Sequence, residues 1–176
     1  FSKLIGKSLI DHQIEIVDTS GTAFFQFLML FNSSNASKRL PMKSAFITDQ
    51  DQFTDSKEKG YNLSELVKDN YSKLYSLRDE INGDQICGRV KNMEAMANGQ
   101  QSIKISSGKK TFEYQICIDN VYADKNETKG TCLFELIKEV NAKGIELVTT
   151  YMDQVAGSNM NEEEQQNVAL LMWKCL

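Results

Sequence analysis

The sequence predicts an α/β fold in which helices flank a parallel sheet, and three observations lead to this prediction. Residues 14–17 read Ile-Glu-Ile-Val and run into Asp-Thr-Ser-Gly-Thr, which is typical of a strand entering a tight turn. Residues 23–31 are almost wholly apolar, which predicts a helix buried on most of its circumference. Residues 43–51 contain a short apolar core flanked by polar residues, which suits a buried parallel strand that ends at Asp49. Strand, helix and strand in this order make the unit of a parallel sheet.

Length and composition indicate a single globular domain over residues 1–176. The chain is 41% hydrophobic and 25% charged, which is the balance of a domain with a real core. No apolar stretch is long enough to cross a bilayer, so we expect no membrane partner. The cysteines at 87, 117, 132 and 175 are widely spaced in apolar segments, which predicts reduced core residues and a cytoplasmic location. Because Phe1 falls inside an amphipathic segment, we expect the chain to be cut from a longer one.

A helical insertion is expected at about residues 56–99, since some fifty residues separate the strand ending at Asp49 from the next strand candidate. Asn62 and Glu65 resemble a capping box, and apolar residues at helical spacing continue from there to Ile81. A second helix is predicted from Ile86, closed by Gly99.

Residues 101–176 mix clear and ambiguous signals. Residues 101–105 read as a short strand and 106–108 as the turn after it. Residues 111–119 alternate strictly, which favours a strand, although Thr111 could instead cap a helix with Glu113 in its first turn. Helices are predicted over 133–140 and from Asn161 onwards, whereas 145–156 carry no assignable pattern.

The candidate site is the pair Asp49 and Asp51 at the end of the second predicted strand. Residues i and i+2 of an extended segment face the same side, and two close carboxylates repel unless they share a cation or a proton. Open α/β sheets bind ligands where strands end, and the turn over residues 19–22 belongs to the same edge. A hard divalent metal follows from this pattern, although two surface aspartates that cap the next turn would look the same.

Composition narrows the chemistry further. His12 is the only histidine, so a zinc site or a triad with histidine as the base is not expected, and catalysis would depend on carboxylates. The net charge of −4 argues against a module that coats DNA passively. It does not argue against a nuclease whose metal ions neutralise the carboxylates.

Three segments carry a family resemblance. Residues 14–24 (Ile-Glu-Ile-Val-Asp-Thr-Ser-Gly-Thr-Ala-Phe), 40–51 (Leu-Pro-Met-Lys-Ser-Ala-Phe-Ile-Thr-Asp-Gln-Asp) and 110–116 (Lys-Thr-Phe-Glu-Tyr-Gln-Ile) resemble, in order and spacing, motifs of the Toprim domain in OLD-family (overcoming lysogenization defect) ATP-dependent endonucleases. The Asp-x-Asp pair is typical of Toprim domains in general. The Thr-Phe-Glu-Tyr element after a helical insertion points to the OLD branch.

The resemblance implies a Rossmann-like sheet in which Asp49, Asp51 and Glu113 bind Mg²⁺ or Mn²⁺, with Glu113 opening a helix rather than lying in a strand. It also implies a DNA endonuclease or nickase that cleaves phosphodiesters with two metals about 4 Å apart. Such proteins carry an N-terminal ATPase domain, the only route by which ATP would enter, and act in phage defence or DNA processing. The sequence leaves open whether the chain forms a homo-oligomer.

Some family features fall outside the sequence. The Val-Glu-Gly strand with the first catalytic glutamate would precede Phe1, and a lysine-glycine motif would follow Leu176, so we expect this fragment alone to be weak or inactive. Topoisomerase-type Toprim domains have a third acid where this chain has Phe53, which disfavours that branch.

Three other functions fit parts of the pattern. A haloacid-dehalogenase-like phosphatase also ends a strand in Asp-x-Asp, with the first aspartate as nucleophile, but its later lysine and second acidic pair are not evident after Gln101. A catalytically inert Toprim-like regulatory or dimerisation domain would use the same acids as turn caps. A receiver-like domain lacks its expected threonine and lysine at strand ends.

Overall fold

The computed structural model describes residues 6–19, 24–33, 35–50, 61–83, 87–97, 100 and 102–176. The chain divides into two compact units, of which the first comprises Phe1–Phe46 with Met96–Lys104 and the second Ile47–Ala95 with Ile105–Leu176. One domain over 1–176 with a helical insertion stays a prediction.

Two strands, β1 (Ser44–Asp49) and β2 (Ile103–Gly108), form a small sheet. In the first unit the Ser44 amide donates to the carbonyl of Ser102 (2.8 Å), and in the second the Gln50 amide donates to the carbonyl of Gly108 (3.1 Å). Both bonds advance in the same direction along the two segments, so the strands are parallel. The predicted strand ending at Asp49 is confirmed, whereas residues 106–108, predicted as a turn, belong to β2. The described residues therefore form an α/β structure.

The first unit contains helix α1 (Phe24–Phe31), as predicted. Leu28 is buried but Met29 and Leu30 are exposed, so the helix buries one side rather than most of its circumference. The ring of Phe31 meets Phe46 of β1 edge to face, with 6.1 Å between centroids. A single 3₁₀ turn, Ala36–Lys38, follows.

The strand predicted over residues 14–17 is wrong. The segment is irregular, and the side chain of Ile16 is 66% exposed. Alternation stabilises a strand only when a neighbouring strand pairs its backbone and a core covers one face. Among the described residues, no strand pairs with this segment. Residues 20–22 of the turn predicted after it, and Ala23 at the start of the predicted helix, lie outside the described residues.

The segment expected to be a helical insertion contains helices α2 (Leu63–Lys68), α3 (Ser72–Asn82) and α4 (Gly88–Ala97). The Asn62 side chain accepts from the Glu65 amide (2.9 Å), which is half of the expected capping box. A single helix from there to Ile81 is wrong, because Asn70 and Tyr71 adopt positive φ angles and break it. The apolar stripes are confirmed as core, with buried residues Leu66, Leu74, Leu77, Ile81, Val90 and Met93.

The carboxyl-terminal part of the second unit is helical: α5 (Phe112–Asp119), α6 (Lys125–Lys129), α7 (Cys132–Val140), α8 (Ala142–Gln154) and α9 (Glu162–Trp173). The strand favoured by alternation over 111–119 is wrong, and the helix implied by the resemblance is confirmed. The reason is local, since the Thr111 hydroxyl accepts from the Tyr114 amide (3.2 Å) and caps the helix. Helix α8 had no recognisable sequence pattern.

Helix α9 lies at the centre of this unit, packed against α3, α5 and α8. It begins with the predicted cap as a full capping box, because Asn161 and Glu164 exchange two hydrogen bonds of 2.9 Å. Seven consecutive residues, 166–172, are buried. All four cysteines are free thiols, but only Cys117 and Cys175 are buried; Cys132 is exposed, so its assignment to the core is wrong.

Helices long and apolar enough to span a bilayer do not occur in the described residues.

Candidate functional site

Asp49 is the last residue of β1, at the edge where both parallel strands end. Its neighbour Gln50 fixes this edge, because the Gln50 amide pairs with the Gly108 carbonyl and its side-chain nitrogen donates to the Ser107 hydroxyl (3.2 Å). The side chain of Asp49 is half-buried. The structure thus places Asp49 where a sheet of this class binds ligands.

The Asp49 carboxylate faces the turn that leads from β2 into α5. A β-carbon placed on Gly108 would lie 3.8 Å from Oδ1 of Asp49, and 3.5 Å from both the Thr111 carbonyl oxygen and the β-carbon of Gln115. These are ordinary contact distances, so the space beside Gly108, between the end of β1 and the start of α5, is about the size of one methyl group. Asp49 and the amino-terminal end of α5 therefore meet at this turn.

Glu113 lies in the first turn of α5, two residues after the Thr111 cap, and its side chain is exposed. A carboxylate at this position is favoured by the positive end of the helix dipole. The Cys117 thiol lies one helical turn after Glu113. Burial raises the pKa of this thiol to about 12, and the nearby Cys175 and then Glu113 raise it further. Glu113 and Cys117 are four residues apart in α5, so they lie on the same side of the helix.

Asp51 lies outside the described residues, as does most of the turn over residues 19–22. In the part of the chain that the structure describes, no three acidic, histidine or cysteine side chains gather in a way that could hold a metal ion. The oxygen donors of Asp49 and Glu113 are of the type that Mg²⁺ and Mn²⁺ prefer. The three-carboxylate site stays a prediction.

Arg89 on α4 contacts the strand end, which the sequence analysis did not foresee. Its Nη2 donates to the main-chain oxygen of Asp49 (2.9 Å). Its Nε is shut off from solvent and has no hydrogen-bond partner among the described residues. The sequence showed only an apolar stripe on this helix, and no local pattern indicates that the guanidinium reaches a strand forty residues earlier.

Lys110 is a second cation that the sequence analysis passed over. It stands between the end of β2 and the Thr111 cap, and its side chain is 0% exposed. Burying an ammonium group is costly unless it is paired or hydrogen-bonded, and Lys110 does have a partner. In the sequence, Lys109 and Lys110 read as an ordinary polar turn.

A separate cleft of about 560 Å³ lies in the first unit. It is lined by Ala36, Arg39, Leu40, Pro41, Met42, Lys43, Gln100 and Ser102. This lining includes two cations and no acid, so the cleft is not a metal site.

Comparison with protein-family models, curated proteins and solved structures finds no match. The resemblance to OLD-family Toprim domains therefore stays a hypothesis, and function has to be inferred from the chemistry of the site.

Proposed function

We propose that Asp49, Asp51 and Glu113 bind Mg²⁺ or Mn²⁺ and that the chain is the Rossmann-like Toprim domain of an OLD-family endonuclease that nicks DNA. The observation that supports this most is the approach of the Asp49 carboxylate to the turn that opens the helix of Glu113. Two acids distant in sequence are thereby carried by elements that meet at one sheet edge.

The proposed roles of the metal ions, Asp49 and Glu113 suit phosphodiester hydrolysis. Bound divalent cations would supply an activated water and stabilise the charge on the leaving oxygen. Asp49 is held firmly, since it ends β1 and the amide of its neighbour Gln50 pairs with the Gly108 carbonyl. Glu113 is exposed at a helix start, where an incoming substrate can reach it. No histidine is needed for this chemistry.

The wider biology of the proposal follows from the resemblance. DNA is one proposed partner, and an N-terminal ATPase domain of the full-length protein is the other. ATP would bind that ATPase domain and not this chain. Phage defence or DNA processing in the cytoplasm would be the setting.

Metal affinity and nicking together test this proposal. Mn²⁺ binding to this chain is measured by calorimetry, and nicking of supercoiled plasmid is measured with the full-length protein, for wild type, Asp49→Asn and Glu113→Gln. Each variant should weaken Mn²⁺ binding at least about tenfold, or about 1.4 kcal/mol. Asp119→Asn is the matched control at the other end of α5, because asparagine still accepts the hydrogen bond from Gln115. Wild-type protein without Mn²⁺ affinity, or Asp49→Asn behaving like the control, would contradict the proposal.

A phosphatase of the haloacid-dehalogenase type is the second candidate, and Lys110 favours it. That class needs a lysine after a later strand, and Lys110 is buried two residues after the end of β2. Its second acidic pair has no counterpart identified in the sequence after Gln101. Hydrolysis of p-nitrophenyl phosphate that Asp49→Asn abolishes, without plasmid nicking, would establish this candidate instead. Neither activity in the full-length protein, at any metal concentration, would leave the inert regulatory domain.

A further inference from the structure

Arg89 lies beside the candidate site, and in the described structure its guanidinium hydrogen-bonds to a main-chain oxygen rather than to a carboxylate. The chain has three arginines. Arg78 pairs with Asp79 (3.0 Å) and Glu163 (3.4 Å), and Arg39 donates to the side-chain oxygen of Gln100. Arg89 donates only to the main-chain oxygen of Asp49, and among the described residues no carboxylate pairs with it. A half-buried guanidinium without an anion is an unusual arrangement, because its desolvation is not offset.

The geometry of the Arg89 guanidinium leaves one edge available. Nη2 is anchored at 2.9 Å to the strand end, and Nε is enclosed by protein. Nη1 is not enclosed, and it makes no hydrogen bond within the described part of the chain. A planar fork held at one nitrogen and open at another suits a phosphate, whose oxygens accept charge-assisted hydrogen bonds from arginine.

We propose that Arg89 binds a phosphate oxygen of a nucleic-acid strand that lies across the Asp49 edge. This inference rests on the proposed function and names the residue that recognises the substrate's backbone. In a chain with a net charge of −4, a phosphate needs local positive charge to approach carboxylates. Arg89 supplies it at the end of β1, and its anchor on the Asp49 main chain fixes the phosphate relative to the Asp49 carboxylate.

The test is DNA binding without divalent metal. Anisotropy of a labelled duplex oligonucleotide is measured in EDTA over a KCl series, for wild type, Arg89→Gln and Arg89→Lys. Arg89→Gln should weaken binding about tenfold and flatten the slope of log K against log salt by about 0.9, the value for one lost phosphate contact. Arg89→Lys should keep the slope. Lys91→Gln, an exposed cation on the same helix, is the control and should change affinity less than about twofold. Equal effects of Arg89→Gln and Lys91→Gln would overturn the inference.

Three further measurements separate other outcomes. Mn²⁺ binding by Arg89→Gln should match wild type, so failure of the metal proposal and failure of the phosphate proposal are seen independently. Inorganic phosphate and p-nitrophenyl phosphate should compete weakly with the labelled oligonucleotide. If they displaced it as well as unlabelled oligonucleotide does, the site would be assigned to small phosphoesters and the inference would be overturned. Phenylglyoxal labelling of wild-type protein needs no variant to fold: oligonucleotide should protect Arg89 and not Arg39, and unprotected Arg89 would refute the assignment.

Discussion

Gly144 offers the sharpest test of the packing around α8. It is the third residue of that helix, and the Asn141 side chain caps the helix by accepting from its amide (2.8 Å). A β-carbon at Gly144 would lie 2.7 Å from both the Asn141 side-chain nitrogen and the Cys175 sulfur. Real β-carbons do not approach so closely, so Gly144→Ala must displace the cap, the buried thiol, or both.

The magnitude follows from three contributions. Loss of an asparagine cap costs about 1 kcal/mol, and overpacking against a buried side chain costs about 1 to 3 kcal/mol. Alanine in place of glycine in a helix returns about 1 kcal/mol. We expect Gly144→Ala to lower the free energy of unfolding by about 1 to 3 kcal/mol, equivalent to several degrees in Tm.

Urea denaturation followed by circular dichroism measures this change. The matched control is Gly88→Ala, at the start of α4, where a β-carbon would meet none of the described residues within 4 Å. The same substitution should there be neutral or stabilising by up to about 1 kcal/mol. If Gly144→Ala were as stable as wild type, or Gly88→Ala the more damaging of the two, the described contacts among Gly144, Asn141 and Cys175 would be wrong.

Three other predictions concern the second unit. Asn161→Ala removes the capping box of α9 and should cost about 1 kcal/mol in urea denaturation; no loss would show that the cap does not stabilise the helix. Iodoacetamide should label exposed Cys132 in the folded protein while Cys117 and Cys175 react only after unfolding, as read by mass spectrometry. Burial raises the pKa of Cys175 to about 11 and of Tyr114, Cys117 and Tyr151 to about 12, so these groups hold their protons after the unfolded chain has released them. Stability should therefore fall as pH rises from about 9 to about 12, by up to about 1.4 kcal/mol per pH unit per group, and a flat profile would contradict this.

The elements predicted correctly have strong local signals. Asn161 followed by three glutamates predicts the start of α9, and apolar residues at helical spacing predict α7. Elements decided by tertiary contacts were missed. Residues 14–17 alternate like a strand but lack a partner strand among the described residues, and α8 buries Gly144 against Cys175, a contact that no window of sequence contains.

The residues of the candidate site likewise divide into those with a local sequence signal and those placed by tertiary contacts. The position of Asp49 at a strand end follows from the apolar run before it and was predicted. The helix that carries Glu113 was ambiguous, because its residues alternate as a strand would and only the Thr111 cap decides otherwise. Arg89 and Lys110 could not be predicted, since the first reaches the site across forty residues and the second is buried by surroundings that the sequence does not specify.

The central claim is that Asp49 and Glu113 hold the same divalent cation. Anomalous diffraction at the manganese edge, from crystals of this chain grown with Mn²⁺, tests it directly. The account predicts an anomalous peak bonded to carboxylate oxygens of both residues, at about 2 to 2.3 Å. No peak at the end of β1 in crystals grown at a saturating Mn²⁺ concentration, or a peak bound to Asp49 while Glu113 points away from it, would contradict this claim.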